Sequence, residues 1–367
     1  MGIHAQQWGV VGLSHWPDTR ILALTGAKLP IIQAPMAGSS GVDLAVAAIS
    51  AGAVGSLPCA LLSPEQVEAQ TGEVRSRATG PLNLNFFCHT LDDAPDDSEW
   101  RRRLAPYYEE AGIDPASSAG APPRVPFNAA MAATVERTRP EIVSFHFGLP
   151  PEDLFRRVRD TGAIIISSAT TAAEARWLAD RGTDAIIAQG FEAGGHAGHF
   201  LAGHRPMGLF ALVRTILASV DVPVIAAGGI VDGAGIAAAF MLGASAVQIG
   251  TAYLATPESL IGPAHRARLG TQSGETTVMT NLLTGREARG MRNRLIDEMG
   301  PMCENAPAFP HAATALASLR AQAEAQGRDD FSSLWAGQAA SLVRETGAKQ
   351  LTEQLARDAL ALLEGRR

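Results

Sequence analysis

AIIISSATTAAEARWLADRGTDAIIAQG, residues 163–190, holds one complete strand–helix–strand unit. Its ends, AIIISSAT (163–170) and AIIAQG (185–190), are apolar nearly throughout and do not alternate with polar residues. Such runs mark strands covered on both faces, as in a parallel sheet. Between them, Thr171 and Glu174 stand at capping-box spacing, which opens a helix. Gly182 closes it, because glycine accepts the left-handed backbone that ends a helix. A parallel pair joined by a helix is the building unit of α/β folds.

The same unit recurs in both directions. Further apolar runs are PIIQAPM (30–36), VGSLPC (54–59), LNLNFF (82–87), IVSFHFG (142–148), PVIAAGG (223–229) and AVQIGTAY (246–253). Gly52, Gly162 and Gly243 each precede a strand as Gly182 does, and Val42, Ala45, Val46 and Ile49 form the i, i+3, i+4, i+7 stripe of an amphipathic helix. Eight strands alternating with helices by residue 253 predict a (β/α)8 TIM barrel; an open doubly wound sheet is the alternative. The rhythm breaks between residues 88 and 141, where LDDAPDDSEWRRR (91–103) and GAPPRVPF (120–127) read as an insertion. Residues 1–90 and 140–255 are therefore assigned to the barrel. Residues 91–139 and 256–367 are assigned to a mainly helical lid over its C-terminal mouth. The predicted lid helices are AATALASLRAQAEAQ (312–326), FSSLWAGQAASLVRE (331–345) and QLTEQLARDALALLE (350–364), which either close the pocket or contact a second subunit in a homodimer.

Composition narrows the function. The net charge of −7 and the two lysines, Lys28 and Lys349, argue against nucleic acid and against an anionic membrane surface. No apolar run reaches membrane-spanning length, and MGIHAQQWG at the N-terminus has no signal-peptide pattern. Cys59, Cys88 and Cys303 are odd in number and far apart, which suits a reducing cytoplasm and neither a disulfide framework nor a metal cluster. The first 20 residues carry no functional reading.

Barrel enzymes work at the C-terminal ends of their strands. Those ends here present Gln33, Pro35, Met36, Asn85, His146, Gln189, His196, Gly228, Gly229, Gln248, Gly250 and Thr251. Gly228–Gly229 and Gly250–Thr251 follow the seventh and eighth strands, where many barrels bind phosphate through backbone N–H groups. In AQGFEAGGHAGHF (188–200) two glycines precede His196, so the backbone can lie close to a planar ligand. An imidazole there can serve as general base or hydrogen-bond donor. His199 and His204 read as surface residues, and no metal site is expected. His146, between two phenylalanines, is either a buried structural residue or faces substrate. No dinucleotide fingerprint, Walker sequence or nucleophile elbow is present.

QAPM (33–36), LNLNFFCH (82–89), SFHFGLP (144–150), AQGFEAGGHAG (188–198), AAGGI (226–230), AVQIGTAY (246–253), TGREARGMRN (284–293) and WAGQ (335–338) together resemble class I nitronate monooxygenases. The resemblance implies non-covalent FMN at the barrel mouth. Ala34, Pro35 and Met36 would line the flavin, Asn85 and Gln189 bond its ring edge, and Gly194 pass close to it. Gly229 with Gln248, Ile249, Gly250 and Thr251 would hold the phosphate side. His196 matches the family's catalytic histidine, and His146 matches a histidine that faces the substrate. The implied reaction oxidises alkyl nitronates, nitroalkanes or propionate 3-nitronate with O₂ to a carbonyl compound and nitrite, without NAD(P)H. The alternative is an FMN-dependent enoyl-acyl-carrier-protein reductase, or another NAD(P)H-dependent flavin reductase on the same barrel. One departure stands out: the family usually reads GGHRG, and Ala197 here removes a cation beside the histidine.

Overall fold

The structure, a computed structural model, describes residues 16–115, 124–203 and 205–365. Its strands are β1 (Ile31–Gln33), β2 (Gly55–Pro58), β3 (Leu82–Phe87), β4 (Ile142–His146), β5 (Ile164–Ala169), β6 (Ala185–Gln189), β7 (Gly195–His196), β8 (Val224–Ala227), β9 (Ala246–Ile249), β10 (Thr277–Thr280) and β11 (Ala288–Met291). Eight of them form one parallel sheet in the order β1-β9-β8-β6-β5-β4-β3-β2. A parallel bridge between Ile32 and Val54 joins the two ends. There the Gln33 N–H donates to Val54 O at 2.9 Å and the Val54 N–H to Ile31 O at 3.0 Å. The expected (β/α)8 barrel is therefore present.

Burial explains the continuous apolar runs. All six residues of β3 are buried, as are all four of β2 and of β8, because helices cover the outside and side chains fill the inside. The four helix-ending glycines, Gly52, Gly162, Gly182 and Gly243, have φ between 83° and 101°. Thr171 caps its helix by accepting from the Glu174 N–H. Glu174 does not complete the box: its carboxylate bonds the N–H and hydroxyl of Thr170 and the N–H of Phe200 and Leu201, tying down the chain beyond β7.

The boundaries of the barrel differ from those read in the sequence. The helix Ala129–Thr138, assigned to the insertion, packs between the helices Pro64–Arg77 and Glu152–Asp160. Its Ala132 and Val135 share a hydrophobic cluster with Phe127, Val143 and Phe145, so it is the crossover helix between β3 and β4. The C-terminal helix Ala348–Leu363, assigned to the lid, packs on the barrel helices Gly233–Met241 and Val42–Ser50. FSSLWAGQAASLVRE is not a helix: Trp335 bridges Gly290, and Ala340–Leu342 form a single 3₁₀ turn. In AVQIGTAY the strand stops at Ile249, and Thr251–Leu254 make a helical turn.

The region above the mouth is less helical than its sequence suggests. β10, β11 and β7 form an antiparallel sheet in that order. TVMT and ARGM are too short, and too polar or glycine-bearing, to give a strand signal alone. The helices Ser98–Ala111 and Ala312–Ala325 pack beside this sheet. Trp100, Leu104, Tyr108, Leu283, Ile296, Leu316 and Phe331 form a hydrophobic cluster separate from the two barrel clusters.

Residues 1–15 of the N-terminal segment and His204 lie outside the described residues. Trp16 is buried against Phe240, with ring centroids 5.0 Å apart. Asp18 pairs with Arg20 at 2.7 Å and accepts from the Ser245 hydroxyl, and Arg20 donates to Asp221 O. Asp221 and Ser245 precede β8 and β9, so this segment covers the end of the barrel opposite the mouth. No described helix is long and apolar enough to cross a membrane.

Candidate active site

A pocket opens at the C-terminal ends of the barrel strands. Ala34, Pro35 and Met36 after β1, Asn85 of β3, His146 of β4 and Gln189 of β6 all line it. So do Gly228 and Gly229 after β8, and Gln248, Gly250 and Thr251 at the end of β9. Gly194 and His196 enter from the loop beyond β6. Ile249 is the exception: strand alternation turns its side chain into the hydrophobic core, and its carbonyl accepts from the Ala34 N–H.

Several features suit a planar group with an anionic tail. Gly228 and Gly229 have φ of 119° and 69°, and neither donates its N–H to a backbone carbonyl among the described residues. A Cβ on Gly228 would sit 3.0 Å from the Ala193 nitrogen, so the close approach there requires glycine. The Gln248 Oε1 is buried without a partner, which leaves an acceptor for a ligand N–H. Two of the lining residues, Ala34 and Gly250, add little side-chain bulk. The residues thus fit a flavin with a phosphate.

Two expected ligand contacts are directed elsewhere. The Asn85 Nδ2 donates to Ser144 Oγ at 2.9 Å. Gln189 holds the histidine loop with both ends of its amide: Nε2 donates to His196 O at 2.9 Å, and Oε1 accepts from the Gly198 N–H at 2.7 Å. Gly198 fits only because it lacks a side chain, since a Cβ would lie 2.6 Å from His146 Cε1. Gly194 is likewise fixed by protein contacts, with Ala336 C and Gly337 N 2.6 Å from a built Cβ.

His196 is not at a barrel strand end. It lies in β7, which pairs antiparallel with β11 through His196–Ala288 and Gly195–Arg289. Its ring is surrounded by Phe309, Trp335, Phe147 and Phe87 at centroid distances of 5.2, 5.5, 6.1 and 6.2 Å. Burial in this cage, with Arg124, His146 and Arg286 nearby, holds its pKa well below that of a free histidine. The Nε2 atom is 2.9 Å from the Thr284 hydroxyl, which lies 3.4 Å from the Arg286 carbonyl.

His146 has protein partners at both nitrogens: Nδ1 with Ser168 Oγ at 2.6 Å and Nε2 with His196 O at 3.3 Å. A carbonyl only accepts, so Nε2 carries the proton and the Ser168 hydroxyl donates to Nδ1. This neutral state agrees with a pKa lowered to about 4 by burial and then by Arg286. The adjacent Phe147 has φ of 70°, uncommon for a bulky residue, and its ring lies tilted against the His146 ring with centroids 4.4 Å apart.

The expected loss of a cation at Ala197 is made good from other elements. Ala197 bonds the Glu287 carbonyl, and its side chain lines a separate small pocket with Phe191 and Met207. Arg286 lies over Phe147 at 4.1 Å and bonds His199 O. Arg124 lies over Phe309 at 5.6 Å and lines the pocket. Burial lowers both guanidinium pKa values to about 10, and both stay charged at neutral pH. Arg124, Ser168, Thr284, Arg286 and Phe309 were not singled out as site residues in the sequence. Arg286 falls inside TGREARGMRN and carried a signal there; Arg124 sits in a Pro-rich loop and carried none.

The model of a family described as nitronate monooxygenase matches residues 18–358. A nitronate monooxygenase of Paraburkholderia phytofirmans is 40% identical over 345 residues, covering 92% of this chain and 94% of that protein. A nitronate monooxygenase of Pseudomonas aeruginosa is 40% identical over 349 residues, covering 92% and 97%. Among solved structures, a nitroalkane oxidase from Streptomyces ansochromogenes superposes with a TM-score of 0.85 at 34% identity, covering 94% of this chain and 99% of that one.

Proposed function

The chain belongs to the nitronate monooxygenase family of flavin-dependent oxidoreductases, and on that premise we propose that it uses FMN to oxidise alkyl nitronates with O₂, giving a carbonyl compound and nitrite. The observation that carries this reading is His196, held neutral in an aromatic cage with two cations near enough to act on it, beside a glycine-rich wall suited to a flavin phosphate. When bound, FMN supplies the electron-accepting ring. Gly228, Gly229, Gly250 and Thr251 are assigned to its phosphate side, and Ala34, Pro35, Met36 and Gln248 to its ring.

The protein's own part is proton and charge management. The Thr284 hydroxyl donates to the Arg286 carbonyl and accepts from His196 Nε2–H. The lone pair is then on Nδ1, which takes the α-proton of a neutral nitroalkane. Arg124 and Arg286 favour the resulting anion, since unit charges near a protein surface attract by about 4 kcal/mol at 4 Å. Phe87, Phe147, Phe309 and Trp335 exclude water, which strengthens both effects. His146 and Gln189 hold the His196 carbonyl and so fix the ring's position.

The purified protein is expected to be yellow, to consume O₂ and to release nitrite from alkyl nitronates without NAD(P)H. His196→Asn should lose about 10²–10⁴ in rate on neutral nitroalkanes, the usual contribution of a positioned base, and less on preformed nitronates. Equal loss on both would remove the base role. Rapid anaerobic bleaching of the flavin by NADPH would replace this reading with that of a flavin reductase.

A further inference from the structure

Arg124 reaches the reactive pocket from a short strip of chain that the barrel holds at two points. β3 ends at Phe87, and the chain runs on through Cys88 and His89. The Cys88 N–H donates to His146 O at 2.8 Å, which keeps this extension beside β4. The extension in turn holds the strip. The Phe127 N–H donates to Phe87 O at 2.8 Å, and His89 Nε2 lies 2.9 Å from Arg124 O. A carbonyl only accepts, so Nε2 carries the proton and donates it to this bond.

The bond matters because the side chain of Arg124 is weakly held. Among the described residues its guanidinium makes no hydrogen bond or ion pair; it lies over the Phe309 ring at 5.6 Å, and the charge that acts on it, Arg320, repels it. Where the guanidinium stands over the pocket therefore depends on its backbone. His89 is itself fixed. It is buried, with the Phe309, Phe147 and Phe87 rings at centroid distances of 4.8, 6.3 and 6.4 Å. Burial holds its pKa below the ordinary value, and the charges of Arg286 and Arg124 add to this. The neutral ring keeps a lone pair on Nδ1, which is buried without a partner. Such an acceptor costs stability, and a phenyl ring would fill the same space without it. What the imidazole adds over a phenyl ring is the Nε2–H donor to Arg124.

We propose that His89 is a positioning residue: by holding the Arg124 carbonyl it sets the Arg124 guanidinium where the nitronate anion forms. The proposal rests on the nitronate reading above. His89 does not line the reactive pocket, so its contribution passes through Arg124.

The test is a double-mutant cycle on the flavin-loaded protein with propyl nitronate as substrate: wild type, His89→Phe, Arg124→Gln and the two together. His89→Phe keeps a ring packed on Phe309 and removes the donor. It should raise KM about 3- to 10-fold, the value of one hydrogen bond, and leave kcat within about twofold. In the Arg124→Gln background the same change should shift KM by less than about twofold, because residues that act through one another do not add. An equal shift in both backgrounds, or no shift on the wild-type background, overturns the proposal. Glutamine can place an amide N–H where Nε2 stood, and asparagine is too short to do so. His89→Gln should therefore recover most of the wild-type KM and His89→Asn should not. This pair decides the matter if His89→Phe fails to fold, and equal behaviour of the two rejects the bond. Nitrate, a planar unreactive anion, is titrated into the same proteins by calorimetry, which needs no turnover. If no nitronate turns over but nitrate binding shows the same non-additive loss, the function is wrong and the positioning role stands. Nitrate binding unchanged in His89→Phe, or absent from wild type, then rejects it.

Discussion

At the residue scale, the site depends on which nitrogen of His196 holds the proton. In the proposed mechanism Thr284 sets this, from a segment 88 positions away in the chain. Thr284→Val keeps the shape and removes the hydroxyl, so Nε2 loses its acceptor and the ring its fixed tautomer. The expected outcome is a fall in kcat on neutral nitroalkanes of about tenfold, the value of one ordinary hydrogen bond, with flavin content unchanged. Steady-state rates beside the visible spectrum check it, and a drop confined to flavin content would refute the assignment. His196 itself was legible because two glycines and a strand precede it. Arg124 was not, since a guanidinium in a loop has no periodicity to reveal its partner, and Thr284 was visible only as the start of TGREARGMRN, without its partner.

At the element scale, β7 joins the barrel to the sheet above it. Two residues pair with β11, while Gln189 and His146 of the barrel hold the His196 carbonyl. Gly194, just before β7, is a tight point, with the 336–337 backbone 2.6 Å from a built Cβ. Gly194→Ala must push β7 away from that segment, at about 1–3 kcal/mol for overpacking. A lower urea midpoint should therefore accompany slower turnover; wild-type stability would show that the segment yields freely. Asn128 offers a control that does not line the reactive pocket. Its side chain caps the crossover helix through the N–H groups of Ala130 and Met131, so Asn128→Ala should cost about 1 kcal/mol and leave the flavin spectrum alone.

At the scale of the whole molecule, burial of neutral histidines makes stability depend on pH. Burial lowers the pKa of His146 to about 4 and of His265 to about 4, and lowers that of His196 well below its ordinary value. As pH falls through about 6.5 the unfolded chain takes up these protons and the folded chain does not, so stability is lost on acidification. Each such histidine contributes a slope of about 1.4 kcal/mol per pH unit between its unfolded and folded values. The window lies above the carboxylate range, so urea midpoints measured from neutral pH down to about pH 5 isolate it. His146→Asn should make that decline shallower by roughly one proton, and an unchanged slope would contradict the buried neutral state.

The sequence by itself determined the alternation of parallel strands with helices and most of the residues at the mouth, because a parallel strand buried on both faces must be apolar and a strand end must carry what the loops expose; closure into a barrel rather than an open sheet was decided by the pairing of Ile32 with Val54. His146 and the paired glycines followed from that register, whereas His196, read as a strand-end residue, lies in β7 of the sheet above the mouth. The sequence did not determine where the barrel stops. The helices Ala129–Thr138 and Ala348–Leu363 look like any amphipathic helix, and only their packing partners assign them to the barrel wall. Nor did it determine the electrostatics of the site. Ala197 read as a missing cation, yet folding brings Arg124 and Arg286 to the same ring from distant loops, and charge acts through space at distances the chain order does not record.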